Sequence, residues 1–234
     1  MDARKLSSQL SSLHRAIIFD FDGVLADSEV LSNSVLAEIV SELGVPTTVE
    51  DAYRTYMGKR LNEVIEAIER VIGRKLPADF ADAYQLRTFD AFRARLRPVV
   101  GAREFLESWR AVPQCIASSS SPERLALSLE VLNMTALFEG RAFSASNVAR
   151  GKPHPDIFLH AAEQLGVKPG DCIVIEDSVG GVTAGRAAGA TVIGLTAAGH
   201  IQPGQDARLR QAGADQVVAS FEELDRVIRP LLPQ

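Results

Sequence analysis

Five short apolar runs punctuate the chain: Ala16-Ile17-Ile18-Phe19, Cys115-Ile116-Ala117, Cys172-Ile173-Val174-Ile175, Thr191-Val192-Ile193 and Gln216-Val217-Val218. The first stops at Asp20-Phe21-Asp22-Gly23, the second at a row of serines and the third at Glu176-Asp177. Runs this short, bounded by turn chemistry, suit strands buried on both faces of a parallel sheet. Helical patterns lie between them. Pro122 follows Ser121 as a first-turn proline, and Leu125, Leu129 and Leu132 then share a face. Pro155 opens another helix in which Ile157, Ala161 and Leu165 line up before Gly166 ends it. Strands alternating with helices predict an α/β fold on a Rossmann-like parallel sheet.

One stretch breaks the alternation. From Asp27 to about Arg97 only helical periodicity is present: Leu31, Val35, Ile39 and Leu43 before Gly44, then Leu61, Ile65, Ile68 and Ile72 before Gly73, then Phe80, Tyr84, Phe89 and Phe92. The expected organisation is a core of residues 1–27 and 98–234, interrupted by a small α-helical cap over 28–97. Val99-Val100-Gly101-Ala102 would be the return hinge, and the residues up to His14 a leader ahead of the first strand.

Composition narrows the function classes. With a net charge of −5 there is no global basic field to recruit nucleic acid or an anionic membrane surface. No apolar run approaches the ~18 residues of a membrane span, and the leader lacks a signal-type hydrophobic region; nothing requires a compartment other than the cytoplasm. Only Cys115 and Cys172 are present, each in an apolar run, and they read as buried, reduced thiols. His14, His154, His160 and His200 show no metal-ligand spacing.

Ligands of open parallel sheets bind outside the carboxyl ends of the strands. The residues just beyond each strand are therefore informative. Asp20 and Asp22 come after the first, and Ser118-Ser119-Ser120-Ser121 after the second, just ahead of a helix. Gly151-Lys152-Pro153 lies before the Pro155 helix, and Glu176-Asp177-Ser178 comes after the 172–175 run. Carboxylates converging on one edge repel unless a cation sits among them. An all-oxygen set favours Mg²⁺, a helix N-terminus takes anions, and a lysine adds a point charge for phosphate. Taken separately, each has an ordinary structural alternative, such as a solvated strand end or a helix cap by Asp177 or Ser178. In this order and these places they point to phosphoryl transfer.

The segment Phe19-Asp20-Phe21-Asp22-Gly23-Val24-Leu25-Ala26-Asp27-Ser28 resembles the first signature of the haloacid dehalogenase superfamily. Ser118, Gly151-Lys152-Pro153-His154-Pro155-Asp156-Ile157-Phe158 and Ile175-Glu176-Asp177-Ser178 resemble its other three. The resemblance is greatest to the sugar-phosphate phosphatase and β-phosphoglucomutase branch. It implies that Asp20 is the nucleophile, forming an aspartyl-phosphate, and Asp22 the general acid–base. It also implies Mg²⁺ on Asp20, the Asp22 main-chain oxygen and Asp177, with Glu176 close by. Ser118, Ser119 and Lys152 would hold the phosphoryl group. The superfamily's dehalogenases lack the second aspartate of the first signature, and its phosphonate-cleaving members replace it; Asp22 is present here.

The resemblance also places a substrate-specificity loop at Tyr56-Met57-Gly58-Lys59-Arg60, whose Lys59 and Arg60 either suit an anionic or polyhydroxylated leaving group or belong to a solvated loop. Where the mutases carry a cap histidine, this chain has Ser32. The implied activity is a Mg²⁺-dependent phosphatase of a small phosphorylated metabolite, a sugar phosphate or phosphorylated sugar acid. The alternatives are a β-phosphoglucomutase-like hexose-phosphate mutase and a non-catalytic sugar-phosphate sensor.

Overall fold

The structure is a computed structural model, described for residues 14–57 and 61–232. Six strands form one parallel sheet: β1 (Ala16–Phe19), β2 (Gln114–Ser118), β3 (Ala142–Ser144), β4 (Cys172–Glu176), β5 (Thr191–Leu195) and β6 (Gln216–Val218). Their order across the sheet is β3-β2-β1-β4-β5-β6, the doubly wound arrangement in which the chain reverses direction beside β1. The three central strands β1, β2 and β4 are buried along their whole length. That explains their unbroken apolar runs, since neither face meets water. Register places Ile18 between Cys115 and Val174. Helices Asp156–Gln164 and Val179–Ala187 bring Ile157, Phe158, Ala161, Val182 and Ala184 into the same core. Both cysteines are buried and reduced there, and burial pushes the Cys172 thiol up to about 12.

The chain divides into two compact units, one ending at Ala26 and resuming at Pro98, the other running from Asp27 to Arg97. The second is wholly helical: Ser28–Glu42, Val49–Thr55, Leu61–Ile72 and Phe80–Arg95. Val35, Leu36, Val40, Ala52, Ile68 and Phe80 form its own core. Gly44 and Gly73 follow their helices with φ of 96° and 69°, the left-handed conformation that stops a helix cheaply. The predicted return hinge is more structured than expected. Val99 N–H donates to the Leu25 carbonyl at 3.0 Å, and Ala102 already begins a helix that runs to Ser108. The expected leader lies almost wholly outside the described residues. Among the described residues no helix is long and apolar enough to cross a membrane.

Candidate active site

The direction reversal lies between β1 and β4, and the carboxyl ends of these two strands carry the acidic residues. Asp20 N–H donates to the Ile175 carbonyl at 2.9 Å, so continued strand pairing carries Asp20 beside the end of β4. The chain then turns tightly: the Phe21 carbonyl accepts from the amides of Leu25 and Ala26 at 2.9 and 3.0 Å, and Gly23 sits at φ 84°. A side chain at Gly23 is barred twice, by that φ and because a Cβ would come within 2.1 Å of Asp177 Oδ2.

Lys152 reaches the same place from the loop before helix Asp156–Gln164. Arg150 and Asp156 pair across that loop at 2.8 Å, and the Lys152–Pro153 peptide is cis. The Lys152 Nζ lies 2.5 Å from Asp20 Oδ1 and 2.6 Å from Glu176 Oε1, and 4.9 Å over the Phe158 ring. Burial works against its ammonium, yet Asp20 and Glu176 prevail and hold it above the ordinary lysine range. Glu176 is fully buried. Its Oε2 accepts from the amides of Asp177 and Ser178 and from the Ser178 hydroxyl, each at 2.9 Å. The following helix approaches so closely that a Cβ on Gly181 would fall 1.6 Å from Glu176 Oε1. Ser178, not Asp177, is the cap of that helix, accepting from the Gly181 amide at 3.0 Å.

Oxygens of Asp20, Glu176 and Asp177 lie within 4.8 Å of one another. Burial pushes the Asp20 carboxyl well above its ordinary value; Lys152 pulls the other way, and Glu176 and Asp177 add to the rise. Among the described residues, the Lys152 ammonium pairs with two of these three buried carboxylates and the His200 imidazole stands at the third. An excess of negative charge is costly in a poorly solvated site unless a cation shares it. The donors are all oxygen, which suits a hard divalent cation. The residues fit a metal of that class.

Asp22 points to a different set of partners. Its carboxylate accepts from the Ser120 hydroxyl at 2.5 Å and pairs with Arg124 at 2.9 Å. Arg124 stands in the first turn of helix Pro122–Val131, whose N-terminus Ser121 caps. Ser118 ends β2 fully buried, its Oγ accepting from the Ser120 amide at 3.0 Å, while Ser119 is exposed beside it. Ser144, at the end of β3, ties the same loop down by donating to the Ser120 carbonyl at 2.6 Å.

Of the residues singled out in the sequence, Asp20, Lys152, Glu176 and Asp177 come together directly, and Asp22 joins the loop of Ser118 and Ser119. Lys59 and Arg60 lie outside the described residues. Three participants escape a reading of the sequence: Arg124, Gln205 and His200. His200 is buried with Nε2 3.0 Å from Asp177 Oδ2, and Gln205 donates to the Asp177 carbonyl at 2.6 Å. Both follow β5, whose loop carries no acidic or serine cluster to draw attention.

Comparison with known proteins agrees with this geometry. The model of the haloacid dehalogenase-like hydrolases matches residues 14–189. The chain is 31% identical over 189 residues to a 6-phosphogluconate phosphatase of Escherichia coli, covering 80% of this chain and 85% of that one. It is 33% identical over 244 residues to a β-phosphoglucomutase of Mycobacterium tuberculosis, covering 90% and 91%. A crystal structure of a hydrolase of this family from Deinococcus radiodurans R1, with bound phosphate and sodium, superposes with a TM-score of 0.82 at 37% identity, covering 94% and 98%. Fold, signature residues and similarity agree, and the chain belongs to the haloacid dehalogenase-like hydrolases.

Proposed function

We propose that this hydrolase is a Mg²⁺-dependent phosphatase of a small phosphorylated metabolite, a sugar phosphate or phosphorylated sugar acid. The observation that carries the reading is Lys152 bridging Asp20 and Glu176 beside Asp177, where the sheet reverses direction. Asp20 attacks phosphorus in line, a phosphorus–oxygen bond forms as the ester bond breaks, and the aspartyl-phosphate results. Asp22 protonates the departing alkoxide. It then takes a proton from the water that attacks the aspartyl-phosphate, releasing inorganic phosphate and restoring the Asp20 carboxylate. Lys152 has three N–H donors; two go to Asp20 and Glu176, and the third serves a phosphoryl oxygen. Ser118 and the Ser119 amide hold the others. Asp20, the Asp22 main-chain oxygen and Asp177 would hold Mg²⁺, which supplies positive charge to the phosphoryl oxygens. Glu176 spends its oxygens on Lys152 and on the amides of Asp177 and Ser178, so its part is to fix these neighbours.

Lys59 and Arg60 would confer a preference for an anionic or polyhydroxylated leaving group. A phosphatase is favoured over a mutase because Ser32 stands where the mutases carry their cap histidine; its hydroxyl donates to the Ser28 carbonyl at 3.1 Å. A sensor would not need the acid–base aspartate.

Incubating the enzyme with a panel of phosphorylated metabolites and Mg²⁺ separates these readings. The expected product is free phosphate, fastest from an anionic or polyhydroxylated ester and lost in EDTA. Isomerised sugar phosphate would identify a mutase, ligand bound but unchanged would identify a sensor, and undiminished phosphate release after chelation would contradict the metal requirement.

A further inference from the structure

We infer that His200 and Gln205, both carried by the segment after β5, form a clamp that aims the Asp177 carboxylate at the cation. The inference rests on the reading of Asp177 as a metal ligand. Asp177 is gripped at two points. Its side chain meets His200, with Nε2 3.0 Å from Oδ2, and its main-chain carbonyl accepts from the Gln205 side-chain Nε2 at 2.6 Å. Both contacts are buried or half-buried, and His200 itself is 5% exposed. A third constraint is steric. Gly23, in the turn after β1, backs directly onto the pair: a Cβ there would lie 2.1 Å from Asp177 Oδ2 and 2.7 Å from His200 Cε1. The loop after β1, the end of β4 and the segment after β5 therefore meet on one carboxylate.

The chemical consequence comes from how ligand carboxylates are oriented. An imidazole N–H donating to Oδ2 occupies that oxygen and fixes the carboxylate plane, which leaves Oδ1 for a cation. Either charge state of the ring can donate from Nε2. A carboxylate without such a partner rotates about χ2 and loses part of its binding energy in being ordered. Removing a hydrogen-bonding partner of a metal ligand typically costs 10- to 100-fold in metal affinity. His200 and Gln205 are positioning residues in this account. His200 does not belong to the group of clustered metal donors.

The test is metal binding by the intact protein, without substrate. Mn²⁺ serves as the probe because it takes the same oxygen ligands, and loss of its free-ion EPR signal reports occupancy. His200→Ala and Gln205→Ala are each expected to weaken Mn²⁺ binding about 10-fold or more, with thermal midpoints in EDTA close to that of the unmodified protein. His200→Gln, which returns an N–H near the position of Nε2, is expected to recover most of the affinity. Asp177→Ala is the reference and should bind weakest. Mn²⁺ affinity unchanged in both alanine variants, with binding lost in Asp177→Ala, would overturn the clamp and leave Asp177 a ligand. Unchanged affinity in Asp177→Ala would overturn the ligand reading itself and the clamp with it. Equal losses in His200→Ala and His200→Gln, with Gln205→Ala binding normally, would reduce His200 to a packing role and overturn the clamp.

Discussion

Lys152 carries the only cation placed against Asp20 and Glu176 among the described ion pairs, and its removal has a calculable consequence. Lys152→Met keeps the apolar stem beside Phe158 and deletes the charge. Stripping one partner from a buried ionic cluster typically costs about 3–5 kcal/mol, because the remaining charges are left uncompensated. The variant is expected to unfold in EDTA at a clearly lower urea concentration and to regain part of that loss in Mg²⁺; an unchanged midpoint would show that the carboxylates do not depend on Lys152. This residue, with Asp20, Asp22, Glu176 and Asp177, is legible from sequence because each sits in a contiguous signature, the carboxylates just beyond strands and Lys152 just ahead of a helix. Arg124, His200 and Gln205 are not. Each is an isolated polar residue whose partner is about 20 to 100 positions away, and only the closing of the sheet makes them neighbours. For His200 and Gln205 the one available signal is their place beyond the carboxyl end of β5, where ligands of such sheets gather.

At the scale of elements, helix Val179–Ala187 is tied to the site by its own cap. Ser178 accepts from the Gly181 amide and donates to Glu176 Oε2, so one hydroxyl both starts the helix and holds the carboxylate. Ser178→Ala is expected to cost about 1 kcal/mol of stability, as a lost N-cap does, measured by chemical denaturation. A change within error would mean that water replaces the hydroxyl at both partners. β1, β2 and β4 are read correctly from sequence because burial on both faces leaves no polar alternation, whereas β6, with Gln216 exposed, is read from its valines alone. β3 is not read: it is three residues at the sheet edge, paired only to β2, and its central Phe143 is half-buried. Helix Val49–Thr55 is missed for a related reason. It buries only Ala52, so it has no apolar period, and its signal is the Thr48–Asp51 capping box instead.

For the whole molecule, the order of the strands decides which residues become neighbours. The 3-2-1-4-5-6 arrangement puts β1 and β4 side by side at the point of reversal, and residues far apart in the chain meet there as one buried acidic site with a lysine. The helical unit has its own core. The central claim is that Asp20 takes the phosphoryl group. Acid-quenching the enzyme during turnover of its best phosphomonoester, followed by peptide mass spectrometry, tests it most directly. The account predicts a phosphoryl adduct on the peptide containing Asp20, present with Mg²⁺, absent in EDTA and absent in Asp20→Asn, whose turnover is abolished while its fold is kept. Turnover by Asp20→Asn at a rate within tenfold of the unmodified enzyme, with no adduct on Asp20 in either protein, would contradict it.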